Sequence, residues 1–172
     1  DDGKCYYKIC KKMGIDLIQL IEDNKKEVLE KIKTSKIIVD ALFGTGLTRN
    51  IEGLFREVVE HINRAEGKVI SVDIPSGIDG LTGEIKGICV KADTTITFMR
   101  PKLGLYLYPA ILYTGEVKVE KIGIPEEIVK YIDVRSFSIE KEEMKALLPQ
   151  RPIRSNKGHF GKVLTIGGSL GM

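Results

Sequence analysis

Two short runs of aliphatic and β-branched residues, separated by one helix-length segment, limit the folds open to this chain more than anything else in it. The first, Lys36–Leu42 (KIIVDAL), runs into Phe43-Gly44-Thr45-Gly46-Leu47. The second, Lys68–Ile74 (KVISVDI), is broken by Pro75-Ser76-Gly77. Between them Leu54, Val58, Ile62 and Ala65 recur at three- and four-residue spacing, which predicts a helix, and Gly67 follows its last turn. The composition of the runs suits buried strands of a parallel sheet. Strand, helix and strand in that order make a βαβ unit, whose right-handed crossover places helices over a sheet. A helix over 24–33 is predicted upstream, with Val28, Leu29 and Ile32 on one side, and further strands over Thr94–Met99 and Glu116–Ile122. The glycine- and acid-containing segment 78–91 reads as a structured loop or hairpin over the sheet edge. The expected class is α/β, a Rossmann-like three-layer sandwich around a mostly parallel sheet.

After Pro125 the character changes. Short helices are predicted over 126–132 and 140–148, and Pro149-Gln150-Arg151-Pro152 then breaks the chain. Asn156–Gly161 precedes a predicted strand over Lys162–Ile166 and a glycine-rich turn at Gly167–Met172. A lone first strand cannot bury its faces. The expected division is a first domain over 1–130, a linker over 131–138 and the opening of a second α/β domain over 139–172.

The balance of 27 basic and 24 acidic residues, net +3, is mixed along the chain rather than striped, which argues against a nucleic-acid partner. No run of eighteen apolar residues suggests a membrane span. Cys5, Cys10 and Cys89 form no metal spacing and suit reduced thiols in a cytoplasmic protein.

Ligands of open parallel sheets sit beyond the carboxyl ends of the strands. At one such end Asp40 lies inside an apolar strand, four residues before Gly44-Thr45-Gly46; at the other, Asp73 stands at the strand tip before Pro75-Ser76-Gly77. A buried carboxylate is costly unless paired or ligated. Asp40 either accepts hydrogen bonds from loop amides or holds a hard cation or substrate, and Asp73 has the same two readings. Converging with the Ser76 hydroxyl, the two would form an oxygen-only set that suits a group I or II cation rather than zinc. The Gly44-Thr45-Gly46 turn is not the GxGxxG fingerprint, but it offers close backbone approach near a following helix, where phosphate can lodge. Lys102 is either a solvated loop lysine or, if it faces the crevice, a phosphate ligand or proton donor. His61 falls on a helix and reads as structural.

Taken in order, Val39–Leu47 (VDALFGTGL), Ser71–Gly80 (SVDIPSGIDG), Thr82-Gly83 and Thr97–Leu105 (TFMRPKLGL) resemble NAD(P)H-hydrate epimerase domains. Lys157–Met172 (KGHFGKVLTIGGSLGM) resembles the entry to the ADP/ATP-dependent NAD(P)H-hydrate dehydratase domain, a ribokinase-like fold to which the epimerase is fused in bifunctional bacterial enzymes. The resemblance implies a hydrated NADH or NADPH substrate, epimerised by the first domain and dehydrated by the second with ADP or ATP as phosphate donor. It implies that Asp40 and Ser76 are potassium ligands. It also implies that Gly44, Thr45, Gly46, Leu47, Thr48, Arg49 and Asn50 contact the hydrated dinucleotide, and that Asp73 is a further substrate contact. With Lys102, Asp73 is expected to share acid–base work at the C6 hydroxyl of the hydrated ring. A homo-oligomer is expected. The chain is expected to be an internal piece, preceded in the family by helices and an Asn-Asn-Gly-Gly-Asp-Gly type loop and followed by the dehydratase body.

Two other functions compete. Domains of this fold also serve as non-catalytic scaffolds in RNA-decapping proteins, against which Asp40, Asp73, Ser76 and Lys102 occurring together argue. A dinucleotide oxidoreductase lacks support, since no GxGxxG opens a helix.

Overall fold

The computed structural model describes residues 2–129, 131–133, 136–139, 141–148, 153–162 and 164–168. They belong to two compact units, Asp1–Lys130 and Tyr131–Met172. In the first, α1 (Asp2–Lys12) and α2 (Lys25–Thr34) precede β1 (Ile37–Asp40), followed by α3 (Gly53–Ile62), β2 (Lys68–Val72), β3 (Thr94–Phe98), β4 (Glu116–Glu120) and the short α4 (Glu126–Val129). The strands form one sheet in the order β1-β2-β3-β4, and every neighbouring pair is parallel. This is the α/β architecture the alternating pattern predicts. α1 was not predicted: none of its residues is buried, so it carries no apolar stripe tied to the core.

The register aligns Ile38 with Val69 and Asp40 with Ser71, and aligns Ser71 with Thr95, so these side chains share one face of the sheet. Leu29 of α2 and Val58, Val59 and Ile62 of α3 pack there with Ile51, Val69 and Val90. A fully buried aliphatic side chain such as Val59 contributes roughly 1.5–3 kcal/mol. Beyond the ends of β2 and β3, Ile74, Ile78, Cys89, Leu105 and Ala110 form a second apolar cluster.

β1 stands at one end of the strand order of the described residues, with Ile37 and Val39 65% and 61% exposed while Asp40 is buried. Pairing decides strand order, and a strand's own residues do not record it. The strands also end earlier than the apolar runs. After β1, Asp40 Oδ1 accepts from the Leu42 N–H at 3.4 Å. After β2, the Ile74 N–H donates to the Val72 carbonyl at 2.9 Å across Asp73, whose φ is +70°. This is a left-handed γ-turn, a rare and strained conformation.

Segment 78–91 is held as a hairpin-like loop. Ile78 and Ile85 form an antiparallel bridge, and the Lys86 N–H donates to the Gly77 carbonyl at 2.8 Å. Gly77 has φ +101°, and a Cβ there would lie 2.0 Å from the Ile88 carbonyl oxygen, so only glycine fits. Asp79 closes the loop's turn by accepting from Leu81 N–H at 3.0 Å and Thr82 N–H at 2.9 Å. These amide donors, Thr82 foremost, pull its carboxyl down to about 2. A lowered folded-state value stabilises above the ordinary carboxylate range, and that stabilisation disappears as pH falls from about 3.8 to about 2. Asp79→Asn is therefore expected to lower the melting temperature by a few degrees at pH 7 and to match the parent near pH 2, as thermal melts across that range will record.

In the second unit, α5 (Lys141–Leu147) and a 3-10 turn over Lys157–Phe160 are the regular elements of the described residues. No described residue of the strand predicted over Lys162–Ile166 is in a strand, and Leu164 and Ile166 are 83% and 88% exposed. A strand needs a neighbour for its backbone N–H and C=O groups, and apolar sequence alone does not supply one. Of the helix predicted over 126–132, Glu126–Val129 is helical and Tyr131 and Ile132 are not. Lys130, Glu140, the Pro149–Pro152 break, Val163 and Ser169–Met172 lie outside the described residues. Among the described residues no helix is long and apolar enough to cross a membrane.

Candidate functional site

Asp40 and Asp73 do not converge; each organises its own group of polar side chains. Asp40 is 1% exposed at the carboxyl end of β1. Its Oδ2 accepts from Ser71 Oγ at 2.8 Å and from the Ser76 N–H at 2.9 Å, and its Oδ1 accepts from Ser76 Oγ at 2.6 Å. Ser76 Oγ in turn accepts from the Phe43 N–H at 2.9 Å and lies 3.3 Å from the Phe43 carbonyl oxygen. One carboxylate therefore ties the end of β1 to β2 and to the Pro75-Ser76-Gly77 turn. Ser71 was not singled out from the sequence; its signal was a hydroxyl at an inward strand position, two residues from Val69, beside a buried acid. The nearby Cys89 thiol is pushed up to about 12 by burial and then by the charge of Asp40, so it is no nucleophile near neutral pH.

The Asp40 Oδ1, Ser76 Oγ and Phe43 carbonyl oxygens form a compact set of hard donors. Among the described residues no group of three or more His, Cys, Asp or Glu side chains is placed to hold a metal. The set holds oxygen donors alone, the type that hard cations take. It is also self-satisfied by hydrogen bonds, as the structural reading of Asp40 requires.

The second group lies at the carboxyl ends of β2 and β3. Lys102 is not a solvated loop lysine: its ammonium group bonds Asp73 Oδ1 directly and also donates to Thr97 Oγ1 at 3.1 Å. Thr97 Oγ1 lies 3.3 Å from the same Asp73 oxygen. Asp73 and Lys102 keep about a quarter of their side-chain surface exposed, whereas Thr97 is fully buried. Both strand ends are bent in the same manner, since Met99 has φ +61° and the Arg100 N–H donates to the Phe98 carbonyl at 2.7 Å. Left-handed backbone at a residue with a Cβ costs about 1–3 kcal/mol and collects at functional sites. The bend after β3 is what brings Lys102 back over Asp73. An ammonium and a carboxylate in contact, partly open to solvent, can give a proton and accept one at the same place.

Gly44, Thr45, Gly46, Thr48, Arg49 and Asn50 are exposed and Leu47 half-buried in the loop that leaves β1. The Gly44-Thr45-Gly46 turn does not open the next helix, because α3 begins only at Gly53, with Glu52 at its N-cap. The acidic side chain disfavours an anion at that helix end. Instead the loop borders a cleft of about 410 Å³ lined by Phe43, Leu47, Arg49, Asn50, Gly53 and Phe55, a size within the range of ligand sites. The loop also approaches the second group. A Cβ on Gly80 would touch Thr45 Cγ2 at 3.4 Å and Lys102 Cγ at 3.7 Å, so Thr45 and Lys102 flank one glycine. His61 binds the Glu57 carbonyl at 2.8 Å one turn away, in keeping with a structural role.

Residues 1–104 match the family described as YjeF-related protein N-terminus. The chain is 42% identical over 163 residues to a bifunctional NAD(P)H-hydrate repair enzyme of Thermofilum pendens, a match covering 95% of this chain and 30% of that protein. It is 34% identical over 172 residues to the enzyme of that name from Moorella thermoacetica, covering 99% and 32% of the two chains. With that of Coxiella burnetii it shares 39% identity over 137 residues, 80% of this chain and 28% of the other. The chain thus spans about a third of the length of the curated relatives it matches.

Proposed function

Because the chain belongs to the YjeF-related protein N-terminus family, we propose that it carries the NAD(P)H-hydrate epimerase site of a nicotinamide-nucleotide repair enzyme, an isomerase acting on hydrated NADH and NADPH. The observation that supports this most is the Asp73–Lys102 contact beside the exposed loop 44–50. The loop holds the dinucleotide. Lys102 gives a proton to the C6 hydroxyl of the hydrated ring; the C6–O bond breaks with its electron pair leaving on water, and the ring nitrogen's lone pair forms the C=N bond of a cation. Water adds to C6 from either face, the cation's C=N pair returns to nitrogen, and Asp73 takes the proton released by the adding water. Proton exchange with bulk water, to which both side chains are partly open, returns the proton from Asp73 to Lys102, so the two epimers interconvert with no net change.

Asp40 and Ser76, with the Phe43 carbonyl, are the residues that would hold potassium, which would supply a fixed positive charge there. Epimerisation is then expected to be faster in potassium than in tetramethylammonium at equal ionic strength, by about tenfold if the ion contributes about 1.4 kcal/mol. Equal rates in the two salts would remove potassium from the account.

In the whole protein we place ADP- or ATP-dependent dehydration of the S epimer, a lyase activity, outside the epimerase site, in a cytoplasmic homo-oligomer without nucleic-acid partners. The competing reading, a scaffold that binds a nucleotide without turning it over, draws on the completeness of the Asp40 hydrogen bonds. Chromatographic measurement of R and S hydrate after adding the full-length protein to one purified epimer separates the two. Equilibration well above the spontaneous rate supports the enzyme; binding with only spontaneous equilibration supports the scaffold.

A further inference from the structure

The geometry points to Thr97 as a positioning residue that fixes which oxygen of Asp73 exchanges protons with the substrate; this rests on the acid–base reading of Asp73 and Lys102. An ammonium group only donates, so in the 3.1 Å contact Thr97 Oγ1 is the acceptor and Lys102 the donor. A hydroxyl has one hydrogen, and with Oγ1 already accepting, that hydrogen is free to point at Asp73 Oδ1, 3.3 Å away. Lys102 donates to that same oxygen. Two donors therefore pin Oδ1, which leaves Oδ2 for the substrate.

Thr97 suits this role better than a surface hydroxyl would. It is fully buried on β3, where a β-branched side chain has few rotamers open to it. Asp73 stands one residue beyond the last β2–β3 pair, Val72 with Ile96, which puts it beside Thr97. Both flanking strand ends are left-handed, at Asp73 and at Met99, so the backbone alone leaves two bent segments to be held in register. The Thr97 hydroxyl bonds a side chain from each. Without it, Lys102 keeps one anchor instead of two and samples orientations that point away from the crevice.

The test compares Thr97→Val, which keeps the shape and removes the hydroxyl, with Thr97→Ser, which keeps the hydroxyl. Both are measured in the full-length protein for kcat, KM and the pH profile of epimerisation. Thr97→Val is expected to lower kcat by about tenfold or more with KM nearly unchanged and to displace the pH profile, since a small misplacement of a reacting group costs up to about a hundredfold. Thr97→Ser is expected to restore most of the rate. Thr95→Val provides the comparison for simple loss of a buried hydroxyl: Thr95 Oγ1 donates to the Thr114 carbonyl at 2.7 Å, outside the site. That variant is expected to melt earlier and keep the parent's pH profile. An unchanged kcat and pH profile in Thr97→Val overturns the assignment, and so does a Thr97→Ser variant as slow as Thr97→Val. Asp73→Asn in the same assay separates the two levels. If it too is active, the acid–base reading fails and Thr97 with it; if it is inactive while Thr97→Val is normal, Thr97 alone falls.

Discussion

Asp40→Ala is expected to unfold about 3–5 kcal/mol more readily than the parent, since each buried donor left unsatisfied costs about 1–3 kcal/mol. The carboxylate it removes accepts from Ser71 Oγ, Ser76 Oγ and the Ser76 N–H, all in a region closed to water. Alanine leaves Ser71 Oγ and the Ser76 N–H without this partner and Ser76 Oγ with the Phe43 carbonyl at 3.3 Å, and it opens a space beneath the turn that carries Gly77. At the unfolding entropy of a domain this size the loss lowers Tm by on the order of 10–20 °C. Asp40→Asn is expected to recover little, because its amide nitrogen adds donors where donors already converge. Calorimetric melts of the three proteins decide the matter. A variant melting within about 2 °C of the parent would mean that neighbouring groups or water replace the carboxylate at small cost, and that Asp40 is not the tie between β1 and β2 described above.

The second large effect concerns rate. Asp73→Asn keeps the size of the side chain and an acceptor oxygen for Lys102 and Thr97, but it can neither carry the charge nor take a proton. General acid–base groups contribute about 10²–10⁴ in rate, and a loss of about a thousandfold in kcat is expected. The fold is expected to survive, since about a quarter of the Asp73 side-chain surface is already open to solvent. Lys102→Met is expected to lose a similar factor, and the double variant little more, because two groups that act as one unit are not additive. Should Asp73→Asn retain more than about a third of the rate, the proton traffic assigned to this pair must run elsewhere.

The sheet was legible because burial leaves marks in sequence. Strands of a parallel sheet need β-branched apolar runs, and those ending at Asp40 and Val72 stand out for that reason. α3 was legible because Val58 and Ile62 repeat at the helical period. Asp40 and Asp73 attracted notice as acids where apolar residues belong. What stayed hidden depends on which segments become neighbours. Ser71 and Thr97 look like ordinary strand residues until the register sets them beside Asp40 and Asp73. The direction taken by Lys102 hangs on a left-handed Met99, and no residue-type preference announces that. The place of β1 in the sheet order was hidden as well, since pairing needs a partner that a strand's own sequence does not reveal.

In the proposed reaction this site interconverts the epimers of hydrated NAD(P)H by letting the C6 water leave and return. Mass spectrometry of one purified epimer incubated with the full-length protein in ¹⁸O-water follows that oxygen. ¹⁸O is expected to enter the C6 hydroxyl at least as fast as the opposite epimer appears, and Asp73→Asn is expected to slow both together. Protein-catalysed epimerisation that leaves the original oxygen in place would contradict it.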